Sequence, residues 1–349
     1  MRPVLIAAFM LGLPALSAHA NDGFGGLSAT GLTFGQADVI AMKSEDLYIS
    51  PTYISVEYVF ANTTDQDVTG EVIFPLPPIQ IGFLDQGMIN LPEDPTRENL
   101  VGFTATVDGQ PVTVQIDRIA VVEELSDEPR PASQNYDTPG RDVTADMARL
   151  GLPLTLDIDA VRAALAALTV EQRLEAKAAG LVDFYDPEAI DVADNTYALW
   201  SIVYRYHWTQ TFPAGVELRV KHGYDNLPPG GLFSWTDPPE DYQADLIDSH
   251  CIDAGTSRAL IAALKNPEGS DYGDLGTAYF ISYVLRTANS WSGPIGTFRL
   301  TIDKGNPDNV VSLCADGVVK TGPTTFVVEK TNYTPDRDLE ILVVVPANY

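Results

Sequence analysis

Side-chain polarity alternates residue by residue over much of this chain, most clearly in residues 52–117. Ile54, Val56, Tyr58 and Phe60 alternate with Ser55, Glu57 and Ala61. Val68, Val72, Phe74 and Leu76 share one parity, with Thr69 and Glu71 on the other. A period of two with one apolar face predicts half-buried strands. The polar run 62–67 reads as the turn of a first hairpin. Pro75, Pro77 and Pro78 end it, because proline cannot donate to a sheet ladder. Asp108-Gly109 predicts a second hairpin, with Phe103, Ala105 and Val107 running in and Val112, Val114 and Ile116 running back. A two-residue Asp-Gly turn sets Ala105 opposite Val112 and Phe103 opposite Val114.

Residues 142–179 break this rhythm with helical spacing. Val161, Ala164, Leu165 and Leu168 form a stripe after Asp157, a candidate N-cap. Thr169 with Gln172 makes a capping box, and Gly180 is the expected stop. From Asn195 the two-residue period returns. Trp200, Ile202, Tyr204, Tyr206 and Trp208 share one parity, Val203, Arg205 and His207 the other. The aromatic stripe reads as the inner face of a sheet, since such rings carry much of a core's burial. A platform for stacking sugars or bases is the competing reading. The turn at 212–216 predicts another hairpin, with Leu218 and Val220 returning. Residues 257–264 read as a short helix. Segments 279–285, 296–302, 310–313, 318–319, 325–328 and 339–345 read as strands.

Strands without intervening helices argue against a parallel sheet. The expected fold is mainly β, antiparallel β-sandwich lobes with a small α-helical insertion. The expected division is a signal peptide at 1–20, an N-terminal β-sandwich domain at 21–122, a linker and helical insertion at 123–194, and a C-terminal β-sandwich domain at 195–349.

Residues 1–20 carry Arg2, an apolar stretch and Ala18-His19-Ala20, an A-x-A cleavage signal. Export to the periplasm or beyond the cell is expected, with no membrane span after cleavage. The net charge is −27, which excludes nucleic acid as a default partner because phosphate binding needs a basic patch. The only two cysteines are Cys251 and Cys314. In an oxidising compartment such a pair predicts one disulfide, worth about 4 kcal/mol in a chain-entropy account. Two buried free thiols are the alternative.

The chain carries no complete catalytic signature. The run 26–30, Gly-Leu-Ser-Ala-Thr, lacks the last glycine of a serine-hydrolase elbow. There is no phosphate-cradling glycine loop and no H-E-x-x-H. His207 and His222, on strands predicted to be neighbours, could hold a metal together with Asp248 or His250. Their spacing and the nearby Arg205 favour ordinary structural histidines instead. No cofactor, no metal and no catalytic residue is assigned. The candidate ligand-binding residues are Phe233, Trp235 and Tyr242, in the proline-rich loop 225–243. A long connection of this kind is usually functional or disordered, and tryptophan and tyrosine dominate binding hot spots. Asp237, Glu240 and Asp241 beside them favour a cationic or sugar-like ligand. Trp235 folding onto its own core is the alternative.

Several stretches resemble a family of exported bacterial proteins known as domain of unknown function 4424. They are Asn21-Asp22, Leu32-Thr33-Phe34, the run 42–50, Val72-Ile73-Phe74-Pro75-Leu76-Pro77, Tyr204-Arg205-Tyr206 and Trp291-Ser292-Gly293-Pro294-Ile295. The resemblance implies location and fold, and no catalytic residue. Phe74-Pro75-Leu76-Pro77 and the run 107–112 are also distantly similar to the vault/inter-α-trypsin domain, a β-sandwich of interaction proteins. The metal motif D-x-S-x-S of its companion domain is not carried over, since Tyr48 stands where the first serine would be. The expected function is a binding or protein-interaction module for an unidentified envelope protein or polar ligand. The other reading is an envelope hydrolase acting on a glycan or similar polar substrate through a carboxylate pair.

Overall fold

The computed structural model describes residues 23–28, 31–35, 39–85, 90–123, 139–266, 274–285 and 291–347, with backbone only at 23–28, 31–35 and 241–242. The expected signal peptide and most of the polar linker lie outside these residues. The protein is mainly β, built on antiparallel sheets. A seven-stranded sheet runs in the order Arg141–Asp142, Gln115–Val122, Ser201–Phe212, Val68–Pro75, Gly23–Ser28, Gly31–Gly35, with Ile79–Gln80 also on Ser201–Phe212. An eight-stranded sheet runs Val319–Lys320, Thr325–Tyr333, Ile295–Asp303, Ile40–Ile49, Tyr53–Asn62, Glu217–Asp225, Thr104–Val107, Gln110–Pro111. Among the described residues its one parallel strand pairing joins Ile295–Asp303 to Ile40–Ile49. Both sheets take strands from each side of the helical segment.

Two of the expected hairpins are corners between sheets. Tyr53–Asn62 pairs with Ile40–Ile49 and Glu217–Asp225, whereas Val68–Pro75 pairs with Ser201–Phe212. Ser201–Phe212 and Glu217–Asp225 likewise lie in different sheets. The two corners sit side by side. The Asn62 amide donates to Gln66 O at 2.7 Å and to Phe212 O at 2.9 Å, and Ala214 N–H donates to Asp67 Oδ1 at 2.9 Å. A crossing leaves both apolar faces turned to one core, so the sequence period is the same as for a hairpin. The Asp108-Gly109 turn does form, and Val112 N–H donates to Ala105 O at 3.1 Å. Its return arm is short, because from Gln115 the chain crosses to the seven-stranded sheet.

Trp200, Ile202, Tyr204, Tyr206 and Trp208 are buried among side chains of both sheets, as the inner-face reading required. The opposite parity of that strand is also closed at Val203 and His207. Three short helices, Thr144–Leu150, Ile158–Ala167 and Val170–Ala178, pack Met147, Val161, Leu165 and Ala176 onto the same core. Asp157 and the Thr169–Gln172 capping box start the second and third as expected.

A four-stranded sheet runs Gly230–Phe233, Gly276–Tyr283, Leu339–Pro346, Val310–Leu313. Ile281, Tyr283, Ile341 and Val343 face the main core, and Ala278, Leu342 and Val344 face a second one. The helices Asp241–His250 and Ala254–Leu264 cover that second core. The Cys251–Cys314 disulfide, with Cα atoms 5.0 Å apart, ties the end of the first helix to the residue after Val310–Leu313. No helix among the described residues is long and apolar enough to cross a membrane.

Candidate functional site

The three sheets leave a groove of about 470 Å³ between them. Its walls are residues 74–79, 224–229 and 280–284, with Ile54, Leu91 and Leu100 among the closing side chains. Each wall has a local cause. Val68–Pro75 and Ile79–Gln80 both pair with Ser201–Phe212, but their registers differ by one residue, Pro75 lying opposite Arg205 and Ile79 opposite Ile202. The proline run absorbs that extra residue. Pro75, Pro77 and Pro78 lack N–H groups to bond a sheet, and Leu76 N–H keeps the segment attached through Tyr204 O at 2.9 Å.

The second wall is pinned at several points. Asp225 N–H donates to Val101 O at 2.8 Å and Asn226 N–H to Thr52 O at 2.9 Å. The Asn226 amide donates to Ser50 O and the Asn90 amide to Pro228 O, both at 2.7 Å. Arg97 pairs with the Asp225 carboxylate at 2.9 Å and donates to Leu100 O at 2.6 Å. The third wall is the margin of Gly276–Tyr283, where Phe280 N–H donates to Pro229 O at 2.9 Å. Ser282 donates its hydroxyl to Glu340 Oε2 at 2.5 Å. Burial pushes the Glu340 carboxyl above the usual glutamate range, and the Asp338 charge adds to this against the Ser282 bond.

Residues 225–243 are not a single irregular loop. The first of them form the groove wall, residues 230–233 are a strand, and Glu240 with Gln243 makes a capping box for Asp241–His250. That helix was missed from the sequence although Glu240-x-x-Gln243 is its local signal. Phe233 and Trp235 are 6% and 4% exposed, in the second core. Their rings stack at 6.2 Å, and Trp235 Nε1 donates to Ser257 Oγ at 2.9 Å. Tyr242 is in the first turn of Asp241–His250, and its side chain lies outside the described residues.

The histidines separate. His207 faces away from the core, with Nδ1 3.0 Å from Glu71 Oε2 and Nε2 3.3 Å from Asp117 Oδ2. His222 is inside the core beside the rings of Phe74, Phe103 and Tyr224. His250 is at the end of its helix, beside Phe280, and burial lowers its pKa. The strands of His207 and His222 are in different sheets, which corrects the expectation that they are neighbours. Among the described residues, no group of three or more His, Cys, Asp or Glu could hold a metal ion.

The chain is similar to a crystal structure of a "putative nutrient binding protein" from Legionella pneumophila. The identity is 16%, the match covers 94% of this chain and 72% of that chain, and the TM-score is 0.42. No curated protein matches the sequence. The family model for the domain of unknown function DUF4424 matches residues 20–342, nearly the whole length, and the chain belongs to that family.

Proposed function

We propose that this protein is an exported β-sandwich binding module, periplasmic or secreted, whose ligand enters the groove between residues 74–79, 224–229 and 280–284. The observation that carries the reading is the groove: about 470 Å³, mostly apolar, with walls from three distant chain segments. Small-ligand sites generally have this size and lining, with a few polar groups fixing orientation. The hydrogen bonds of Asn90, Asn226 and Asp225 hold the second wall in place before any ligand arrives. Such preorganisation lowers the entropy lost on binding. The disulfide supports export, since such bonds persist in oxidising compartments.

The loop 225–243 takes part through residues 225–229. Phe233 and Trp235 support it from behind, anchoring the strand that continues from Pro228 and Pro229. Tyr242 is in the first turn of the helix packed beneath them. Titration of the mature protein with Nile red, a neutral apolar dye, tests the reading. Bound dye should fluoresce strongly, and Leu91→Trp, which fills the groove from its half-buried rim, should weaken binding about tenfold or more. A dye that ignores the wild-type protein, or binds Leu91→Trp equally well, rejects it.

Glu340 favours a second reading, the glycan-directed hydrolase. A carboxyl raised by burial, next to Asp338 and bonded to a groove residue, has the features of a general acid. Hydrolysis of a panel of envelope oligosaccharides that is lost in Glu340→Gln would establish it. The apolar lining supports the binding reading over this one.

A further inference from the structure

We infer that the groove takes its ligand as an extended peptide, a segment of a partner protein added as a further strand to the open margin of Gly276–Tyr283. This rests on the groove reading above and names the chemistry of its ligand. In an antiparallel sheet the backbone groups of successive residues point alternately to the two neighbouring strands. Gly276–Tyr283 pairs along its whole length with Leu339–Pro346. On its other side Gly230–Phe233 covers it only from Gly276 to Tyr279. Phe280 N–H points to that second side, since it donates to Pro229 O. The Phe280 carbonyl and both backbone groups of Ser282 therefore point there as well. Pro229 has no N–H to return to the Phe280 carbonyl. Among the described residues no strand pairs with Ser282 on that side.

Two acceptors and one donor thus stand in a row where the groove begins. Residues 280–284 line it consecutively. One face of a strand presents only every second side chain, so a consecutive lining means that the strand's margin forms the wall. An uncovered strand margin is a template for another strand. Peptide capture by strand addition draws affinity from main-chain bonds and specificity from pockets for alternate side chains. Leu76, Leu91 and Leu227 furnish the apolar pocket across from this margin. The acids near Ser282 are Glu340 and Asp338, on a chain of net charge −27. The fitting partner segment is apolar at alternate positions and flanked by lysine or arginine.

The test begins by panning a phage-displayed heptapeptide library against the mature, oxidised protein. Peptides of the stated pattern should be enriched, and calorimetry on a synthetic copy should give a measurable affinity. Ser282→Pro should weaken binding about tenfold or more, because it removes the donor facing the groove. Its circular dichroism should stay that of the folded protein, since that N–H bonds no strand among the described residues. Ser282→Ala, which keeps the N–H, should bind markedly more tightly than Ser282→Pro. N-methylation of the peptide at alternate amides should abolish binding, and at the intervening ones should not. This arm decides the matter even if Ser282→Pro fails to fold. Binding that survives every N-methylation overturns the inference. If no peptide is enriched while Nile red still enters the wild type and is lost from Leu91→Trp, the peptide inference fails and the groove reading stands. If the dye also fails, both fall.

Discussion

The indole N–H of Trp235 donates to the Ser257 hydroxyl at 2.9 Å, tying the chain that leaves Gly230–Phe233 to the helix Ala254–Leu264. The ring is buried beside Phe233, Ile252 and Leu260. Trp235→Ala should therefore lower stability by about 3–5 kcal/mol, the range for a buried tryptophan, and Trp235→Phe by less. Urea unfolding followed by circular dichroism measures both. An unchanged midpoint together with lost ligand capture would instead assign the ring to the ligand itself.

Arg173 is buried on the third short helix and donates to three carbonyls: Ile190 O at 2.9 Å, Val192 O at 2.7 Å and Ala166 O at 3.1 Å. It joins the end of one helix to the loop that follows Val182–Phe184. Arg173→Met keeps much of the volume but removes all three bonds, and among the described residues only Val192 O keeps another donor, Asn195 N–H at 3.3 Å; a buried carbonyl left unpaired costs about 1–3 kcal/mol. Arg173→Lys should recover little, because an ammonium lacks the planar fork that reaches three acceptors. Thermal melts of the two variants should be closer to each other than either is to wild type.

Breaking the disulfide should release the chain between Cys251 and Cys314, a sequence separation of 63. Cys251→Ser with Cys314→Ser should cost about 2–4 kcal/mol, mainly through a less constrained unfolded state. Wild-type protein unfolded without reductant should show no reactive thiol. Two thiols per chain in that assay would contradict the bond.

Glu340 supplies a pH dependence with a defined sign. Burial raises its folded-state pKa above the unfolded value. The folded protein thus holds the proton more tightly, and the penalty for ionising the buried carboxyl is present in full above the folded pKa. It fades as pH falls towards the unfolded value of about 4.3. Glu340→Gln, which can still accept from Ser282, should raise the melting temperature at pH 7, with the gain shrinking as pH falls through the raised folded-state pKa towards the unfolded value. A gain that is the same at pH 4 and pH 7 would mean that ionisation is not its source.

Features closed within a few residues were legible from the chain alone. The Thr169–Gln172 capping box needs only its own helix turn. Asp108 and Gly109 take the positive φ angles, 48° and 76°, that a two-residue turn demands. Alternation marked the inward stripe from Ile202 to Trp208 correctly, because burial there depends on which face a side chain occupies; it did not mark Val203 and His207, which are buried on the other face. Membership of the family was visible in short motifs spread along the length.

Strand partners were not legible in the same way. Alternation says which face of a strand is apolar, and nothing about the neighbour that completes its hydrogen bonds. Residues 62–67 and 212–216 read as hairpin turns for that reason, and the chain uses both to step between sheets. His207 and His222 were parted by the same step. The groove lay further still from any local rule. Its three walls come from residues 74–79, 224–229 and 280–284. The prolines of the first two mark where each stops donating to a sheet. Only packing the sheets against one another brings those stops to the same place, beside the margin of Gly276–Tyr283.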